Sequence, residues 1–399
     1  MDTPITVLPN DVQATIARIT GEIEQHLIAV RRDLHAHPEL AFEEVRTAGV
    51  VANELTRMGI AHETGIAQTG VVGIINGGRP GPVLAIRADM DALPIQERTD
   101  LPWASTKPGL MHACGHDIHT TTLLGVADVL HKIAPSLAGT VKLIFQPAEE
   151  AIGGAEQMIE AGVLEGPKVD MAIGFHNYPH IPVGEFSFCP GPALAAADMF
   201  TIEVHGKSGH AAHPYAAIDP IVAAATLITQ LQTVVSREMR PLHPAVVTVG
   251  AINGGIAHNI IPDSVVIKGT VRTLHKEAQD IAERAIQRMC DGAEIAMRTR
   301  CTLTYERGVP AMLNDDRVLE PVVEAVRKQL GDVIHRREPS MGAEDFALMS
   351  QMVPAFQLGI GSGAPGRADR LHNSGYAPDE ACIGLGVQAL ARAAVEILA

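Results

Sequence analysis

Three short apolar segments each end in ionisable residues, and this pattern constrains the fold more than any other feature. The segments cover 83–88, 141–145 and 171–174, and they run into DMD, QPAEE and FHN. Stretches with apolar residues at helical spacing precede or separate them, over 16–30, 43–58 and about 119–133. Helical crossovers between short apolar strands predict an α/β fold with a mostly parallel, mixed sheet flanked by helices.

The pattern changes from about residue 192. Alternating segments at 198–206, 245–252 and 264–273 combine with helix-like segments at 219–238 and 277–297, which predicts a small α+β layer of the ferredoxin-like kind. After residue 305 the α/β pattern returns. We therefore predict a discontinuous domain of residues 1–192 and 307–399, with a second domain of residues 193–306 inserted into it.

Charge and composition exclude some classes of partner. Among 399 residues, 46 are acidic and 31 are Lys or Arg, a formal charge of −15, so no general attraction to nucleic acid or an anionic membrane is expected. The first residues lack the basic and apolar regions of a signal peptide, and no continuous apolar run has the length of a membrane span. We expect a cytoplasmic protein with a small-molecule partner.

The five cysteines are scattered and contain no CxxC pair, which argues against a disulfide framework. Only Cys114 lies among other metal-ligand types, in MHACGHDIHTTTLLG. Because sites in open α/β sheets form at the carboxyl ends of strands, this segment is expected to meet the ionisable strand ends. A thiolate, a carboxylate and three imidazoles would suit two divalent ions; the candidates are Cys114, His116, Glu150, His176 and His372.

Glu149 stands beside Glu150. In extended backbone adjacent side chains point to opposite sides, so one carboxylate could bind metal while the other faces a metal-activated water. A glutamate there could take the proton of that water and pass it to a leaving amine.

Simpler interpretations compete with this hypothesis. Cys114 could be a cysteine-protease nucleophile or a plain buried thiol, and the Glu pair could be a solvated charge pair. His35 and His37 in LHAHPEL are more typical of a capped helix end than of a ligand pair.

Many segments, in order along nearly the whole chain, resemble the M20 metallopeptidases, and among them the aminoacylase, hippurate hydrolase and auxin-conjugate hydrolase group. They are RRDLHAHPELAFEE, TGVVG, IRADMDALPIQE, MHACGHDIHTTTLLG, FQPAEE, GFHN, GKSGHAAHP, IDPI, HNIIPD, GTVRT, MGAEDFA and LHNSGY. The resemblance implies a metallopeptidase catalytic domain with two metal ions (Mn, Zn, Ni or Co) and an inserted lid domain that dimerises.

Residue by residue, the resemblance makes Cys114 the bridging ligand and Glu149 the general base. His116, Glu150, His176 and His372 would complete the two metal shells, and Asp91 would orient a ligand. One position departs from the family: many members carry a metal-binding histidine where this chain has Asp89. We expect His116 to replace that ligand, which leaves Asp89 outside the metal set.

In the inserted domain, His210 resembles a lid histidine that reaches the site of a neighbouring subunit to polarise the scissile carbonyl, with His213 as its competitor. Asn259 and Arg272 resemble groups that bind the α-carboxylate of the substrate. Gly342 would let a loop approach the substrate closely.

The resemblance implies hydrolysis of N-acyl-L-amino acids, of hippurate, N-acetyl or indole-acetyl type, by a homodimer. Related activities are the alternatives: deacetylation of N-acetyldiaminopimelate or dipeptide cleavage. A non-enzymatic binding protein would be expected to lack Glu149 or the metal ligands, and this chain has them all.

Overall fold

The computed structural model describes residues 11–151 and 153–399, and the chain divides into two compact units. The first takes in the chain up to Gly191 together with Leu313–Glu338 and Leu348–Ala399, and the second comprises Pro192–Met312 and Pro339–Ala347.

The helices of the described residues follow in chain order: α1 Val12–Ala36, α2 Val45–Met58, α3 His116–Ile133, α4 Gly154–Glu160, α5 Pro220–Thr233, α6 Lys276–Met297, α7 Asp316–Leu330, α8 Phe346–Ser350 and α9 Ala381–Leu398. The strands are β1 Ala61–Ile66, β2 Gly70–Asn76, β3 Arg79–Asp89, β4 Ala138–Gln146, β5 Met171–Pro182, β6 Phe186–Phe188, β7 Gly191–Leu194, β8 Ala196–His205, β9 Gly209–His210, β10 Ala245–Gly254, β11 Ile260–Ile261, β12 Ser264–Thr273, β13 Arg300–Arg307, β14 Met312–Asn314, β15 Ile334–Arg336 and β16 Ala355–Gly363.

The first unit is built on an eight-stranded sheet in the order β1-β2-β4-β3-β5-β16-β6-β15. Its centre is parallel: β3 pairs with β4 and β5, and β5 pairs with β16. Strand β2 is antiparallel to both of its neighbours, β1 and β4, and β16 and β6 are also antiparallel. The predicted mixed, mostly parallel α/β sheet is therefore confirmed.

Buried apolar side chains from the sheet and from α1, α2, α3, α7 and α9 form one core. Within the described residues, α9 alone is long and apolar enough to cross a membrane, and 67% of that stretch is buried inside the fold. Its packing in the core accounts for its composition, and Arg392 and Glu396 interrupt the apolar run.

The second unit has a four-stranded antiparallel sheet in the order β10-β12-β8-β13. Its helices α5 and α6 pack with the sheet around a separate core that includes Phe200, Leu227 and Ile286. The chain order β8-α5-β10-β12-α6-β13 with this strand order is the split βαβ arrangement of ferredoxin-like folds.

Candidate metal centre

The parallel strands of the first unit bring the predicted ionisable residues to one edge. Asp89 is the last residue of β3, Asp91 lies two positions further, and Glu149 follows the end of β4. Because β4, β3 and β5 are parallel neighbours, their carboxyl ends meet at the same edge of the sheet.

Strand β5 runs well past the predicted end at residue 174, because its pairing with β16 continues to Pro182. His176 therefore lies within a strand, opposite Gly359 of β16, and not in a loop.

Cys114 lies at the centre of the predicted ligand set. Its Sγ is 3.5 Å from His176 Nε2 and 3.3 Å from His372 Nε2. His372 Nε2 in turn lies 3.2 Å from Glu150 Oε1. Two clusters with ligand atoms within 4.8 Å of one another share this thiol: Cys114 with His116 and His176, and Cys114 with Glu150 and His372. This sharing is what a thiolate bridging two ions would require.

His116 is the first residue of α3, and both of its ring nitrogens face the site. Its Nδ1 lies 3.1 Å from Asp91 Oδ1, while the buried Nε2 has no hydrogen-bond partner among the described residues. Asp91 accepts from Nδ1, and Nε2 is directed at the cluster. Burial opposes the charged form, but Asp89 and Cys114 outweigh it and hold the pKa of His116 well above its usual range, so a metal ion would displace a proton from Nε2. A buried imidazole nitrogen without a partner in a cluster of thiol, carboxylate and imidazole groups fits a metal ion.

The Glu149–Glu150 pair differs from the prediction in one respect. The two residues lie in a turn after Ala148, whose φ is 53°, and not in extended backbone. The expected divergence of the two side chains is therefore wrong, because a turn does not send neighbouring side chains to opposite faces. Glu149 Oε2 and Glu150 Oε1 each lie 3.9 Å from His116 Nε2.

Asp91 connects two of these groups. One carboxylate oxygen faces His116 Nδ1, and the other accepts from the backbone N–H of Glu150 at 3.0 Å. This geometry suits the predicted orienting role.

Burial raises the pKa of the Cys114 thiol to about 12, which disfavours the cysteine-nucleophile alternative, because such enzymes need a thiolate near neutral pH. Burial also lowers the pKa of His176 to about 3, helped by His119. His176 is therefore neutral, with Nδ1 engaged by the Asn177 carbonyl at 2.7 Å and Nε2 facing Cys114.

Asp89 is fully buried. Its Oδ1 accepts from His119 Nδ1 at 2.5 Å and its Oδ2 from Arg87 at 2.6 Å. Burial by itself would raise the pKa of Asp89, but His116, His119 and Arg87 outweigh it and hold that pKa well below its usual range. With both oxygens engaged, Asp89 is poorly placed to ligate a metal, although Asp89, His116 and His119 also form a close cluster.

The sequence interpretation overlooked His119 and Asn177. His119 lies three residues after His116 on α3, a spacing that puts both rings on one face of the helix, with 5.4 Å between their centroids. That spacing was the available signal; nothing local in the sequence pointed to Asn177. His35 is buried between Asp117 Oδ2 at 2.8 Å and Glu97 Oε1 at 3.2 Å, and belongs to none of the ligand clusters described.

The other predicted residues lie in the second unit. His210 is exposed on β9, opposite Ile260 of β11, and the carbonyl of Asn259 accepts from Ala211 N–H at 3.1 Å. His210 and Asn259 are therefore neighbours.

Arg272 is the second-last residue of β12 and lies opposite Ala197, at the end of the strand away from Asn259. Gly342 has no positive φ, and a Cβ there would make only an ordinary 3.5 Å contact with Ser340, so the fold of this chain does not itself require glycine.

The fold and this cluster define an α/β protein with a candidate two-metal centre at the edge of a mixed sheet. The chain matches the family described as peptidase family M20/M25/M40 over residues 85–396, and it belongs to that family. It is an M20 amidohydrolase.

Two relatives from Bacillus illustrate the similarity. An N-acetyl-L-cysteine deacetylase of Bacillus subtilis is 44% identical, covering 83% of this chain and 79% of its own. An N-acetyldiaminopimelate deacetylase of Bacillus velezensis is 40% identical, covering 90% and 94%. A solved Bacillus subtilis structure, described as a dinuclear metal binding peptidase from the M20 family, superposes with a TM-score of 0.85 at 38% identity and covers 95% of this chain and 99% of that one.

Proposed function

We propose that this protein hydrolyses the amide bond of N-acyl-L-amino acids with two bound divalent ions, Mn, Zn, Ni or Co. The observation that carries the proposal is the pair of ligand clusters sharing Cys114. His116 Nε2, which has no hydrogen-bond partner in the described part of the chain, is directed at them. Bound there, the ions would polarise the amide carbonyl and lower the pKa of the attacking water.

Within this proposal, Glu149 is the general base. It takes a proton from the attacking water and delivers it to the leaving amine. Asp91 fixes the ring of His116 and the backbone of Glu150, so one carboxylate supports two ligands.

The second unit supports a role for a neighbouring subunit. The pair His210 and Asn259 lies beside the start of β12, whereas Arg272 lies eight residues along that strand from Ser264, about 26 Å at 3.3 Å per residue. One small substrate cannot contact both ends of this sheet. We therefore propose that Arg272 and the pair His210–Asn259 act on different substrate molecules: Arg272 binds a substrate carboxylate, and His210 with Asn259 serves the site of the partner.

Exposed apolar residues of the second unit favour a homodimer through this lid. Ile252, Ile256 and Ile260 are exposed, Ile256 to 98%, and β10 is an unpaired edge of its sheet. Uncovered apolar side chains next to an open strand edge are typical of a protein interface.

The acyl group is the finer question. The two deacetylase relatives favour acetyl, and the N-acetyldiaminopimelate enzyme makes that compound a second candidate substrate. Benzoyl and indole-acetyl amino acids and dipeptides stay in the comparison. The cytoplasmic location stays a prediction.

The test combines metal analysis with amino-acid release. Metal-replete protein is offered N-acetylcysteine and other N-acetyl amino acids, N-acetyldiaminopimelate, hippurate, an indole-acetyl conjugate and a dipeptide, with Glu149→Gln as the matched blank. We expect up to two ions per chain and release from at least one N-acyl amino acid that the blank lacks. Release from the dipeptide alone would favour a dipeptidase, and release from none would overturn the proposal.

A further inference from the structure

Asn177 follows His176 on β5, and its side chain is fully buried. Its amide Nδ2 donates to the backbone carbonyl of Cys114 at 2.8 Å and to His119 Nε2 at 2.8 Å. Both hydrogen bonds donated by the side-chain amide of Asn177 therefore go to the segment that carries Cys114 and His116.

The amide oxygen accepts hydrogen bonds from two other parts of the chain. Asn177 Oδ1 accepts from Ser362 Oγ at 3.1 Å and from the hydroxyl of Tyr376. Tyr376 lies four residues after His372, whose own N–H donates to the carbonyl of Ala113 at 2.8 Å. One buried amide thus connects β5, the start of α3 and the segment that carries His372, and each of these holds a predicted ligand.

The contact with the ligand loop is direct. Gly115 stands between Cys114 and His116, and a Cβ at this position would lie 2.3 Å from Asn177 Nδ2 and 2.8 Å from the Tyr376 hydroxyl. Glycine lets the amide reach the backbone of the loop itself.

The orientation of the amide is fixed by its partners. His119 Nδ1 donates to Asp89, and the backbone N–H of Asn177 donates to His119 Nε2 at 3.0 Å, so Nε2 is an acceptor and only the NH₂ side of the amide can face it. The two hydroxyls then donate to the amide oxygen. An aspartate in this place would have the same shape but would lack both donors.

We propose that Asn177 is a positioning residue for the metal centre: it holds the Cys114 carbonyl, the start of α3 and the His372 segment in the arrangement that binds the ions. The inference rests on the proposed two-metal function. Hydrogen-bond partners behind metal ligands typically contribute about 10- to 100-fold in metal affinity.

The test measures zinc affinity of the full-length metal-free protein by competition with a fluorescent chelator. The variants are Asn177→Ala and Asn177→Asp, the second because it keeps the side-chain volume. Cobalt substitution adds a spectroscopic signature, since the thiolate-to-cobalt absorption reports the position of Cys114 at the metal.

Asn314→Ala is the matched control. Asn314 is also a buried asparagine of the first unit, with Nδ2 donating to the Cys189 carbonyl at 2.7 Å and Oδ1 accepting from Gln357 N–H at 2.9 Å. Its amide joins backbone segments without touching a predicted ligand.

We expect zinc affinity to fall about 10- to 100-fold in both Asn177 variants, with an altered cobalt absorption, while Asn314→Ala keeps the parental affinity. Parental affinity in a folded Asn177 variant, or an equal loss in Asn314→Ala, would overturn the inference. A parent protein that binds no zinc would overturn the proposed function and this inference together. If the parent binds zinc and releases amino acids but the Asn177 variants keep the parental affinity, only the inference about Asn177 is overturned.

Discussion

At the residue scale, the adjacent carboxylates of Glu149 and Glu150 are equally far from His116 Nε2, so distance to this ligand does not separate their roles. Their other contacts do: Glu150 Oε1 lies beside His372 and belongs to the Cys114 cluster. We therefore expect Glu150 to bind metal and Glu149 to move protons.

Paired substitutions separate these roles. Glu149→Gln keeps the shape but cannot accept a proton, so kcat should fall at least about 100-fold, with metal content unchanged. Glu150→Gln should instead lower metal content. Kinetics and metal analysis on both variants check this, and near-parental turnover in Glu149→Gln would remove it from the role of base.

The buried thiol of Cys114 leads us to predict how zinc affinity depends on pH. Because burial raises its pKa to about 12, the metal-free site holds this proton throughout the neutral range, and a metal ion must displace it. Zinc affinity should therefore rise with pH, and the logarithm of affinity should rise about one unit per pH unit more steeply in the parent than in Cys114→Ser. Chelator competition between pH 6.5 and 8 gives both slopes, and equal slopes would contradict the assignment of Cys114 as a metal ligand.

At the element scale, α3 begins where the ligands lie. Gly115 adopts φ 86° at its N-cap, a left-handed conformation that costs a residue with a Cβ about 1–2 kcal/mol. Gly109 has a similar φ of 79°, but a Cβ there would meet nothing within 4 Å.

The two glycines provide a controlled comparison. Gly109→Ala should cost only the backbone strain, whereas Gly115→Ala should cost about 1–3 kcal/mol more, because its Cβ overlaps Asn177. Urea unfolding of the metal-free proteins measures the difference, and equal losses of stability would mean that the amide can move aside.

Strand β5 is longer than the apolar run in the sequence predicts. Residues 171–174 have the apolar character of a strand, but the sequence beyond them, FHNYPHIP, contains two prolines and two histidines. Pairing with β16, nearly two hundred residues later in the chain, extends the strand to Pro182. Such pairing depends on tertiary contacts, and local propensity does not report it.

At the scale of the whole molecule, the proposed site needs groups from two chains. If His210 serves the partner, His210→Ala and Glu149→Gln are each poorly active, but a mixed dimer has one site with both groups intact. Random exchange of equal amounts makes about half of the dimers mixed, so about a quarter of parental activity should return.

Activity after verified subunit exchange is the measurement, with light scattering to establish the dimer. Recovery well above the sum of the separate variants supports action across the dimer. A monomeric protein, or no recovery after exchange, would place His210 in the site of its own chain or outside catalysis.

The α/β and ferredoxin-like layers and the family could be predicted from the sequence alone. Those features rest on periodicity and on motifs, which are local properties of the chain. Ionisable residues at strand ends also pointed to the right edge of the sheet, because parallel strands present their carboxyl ends together.

The separate roles of the residues around that edge depend on tertiary contacts and could not be predicted from the sequence. His116 and His119 lie one helical turn apart in the same stretch of sequence. His116 nevertheless directs Nε2 toward the cluster, while His119 is held between Asp89 and Asn177. Asn177 meets Tyr376 across 199 positions of sequence. Hydrogen bonds over such separations form only after strands and helices have packed, so no local pattern encodes which side chain binds and which one holds the binder in place.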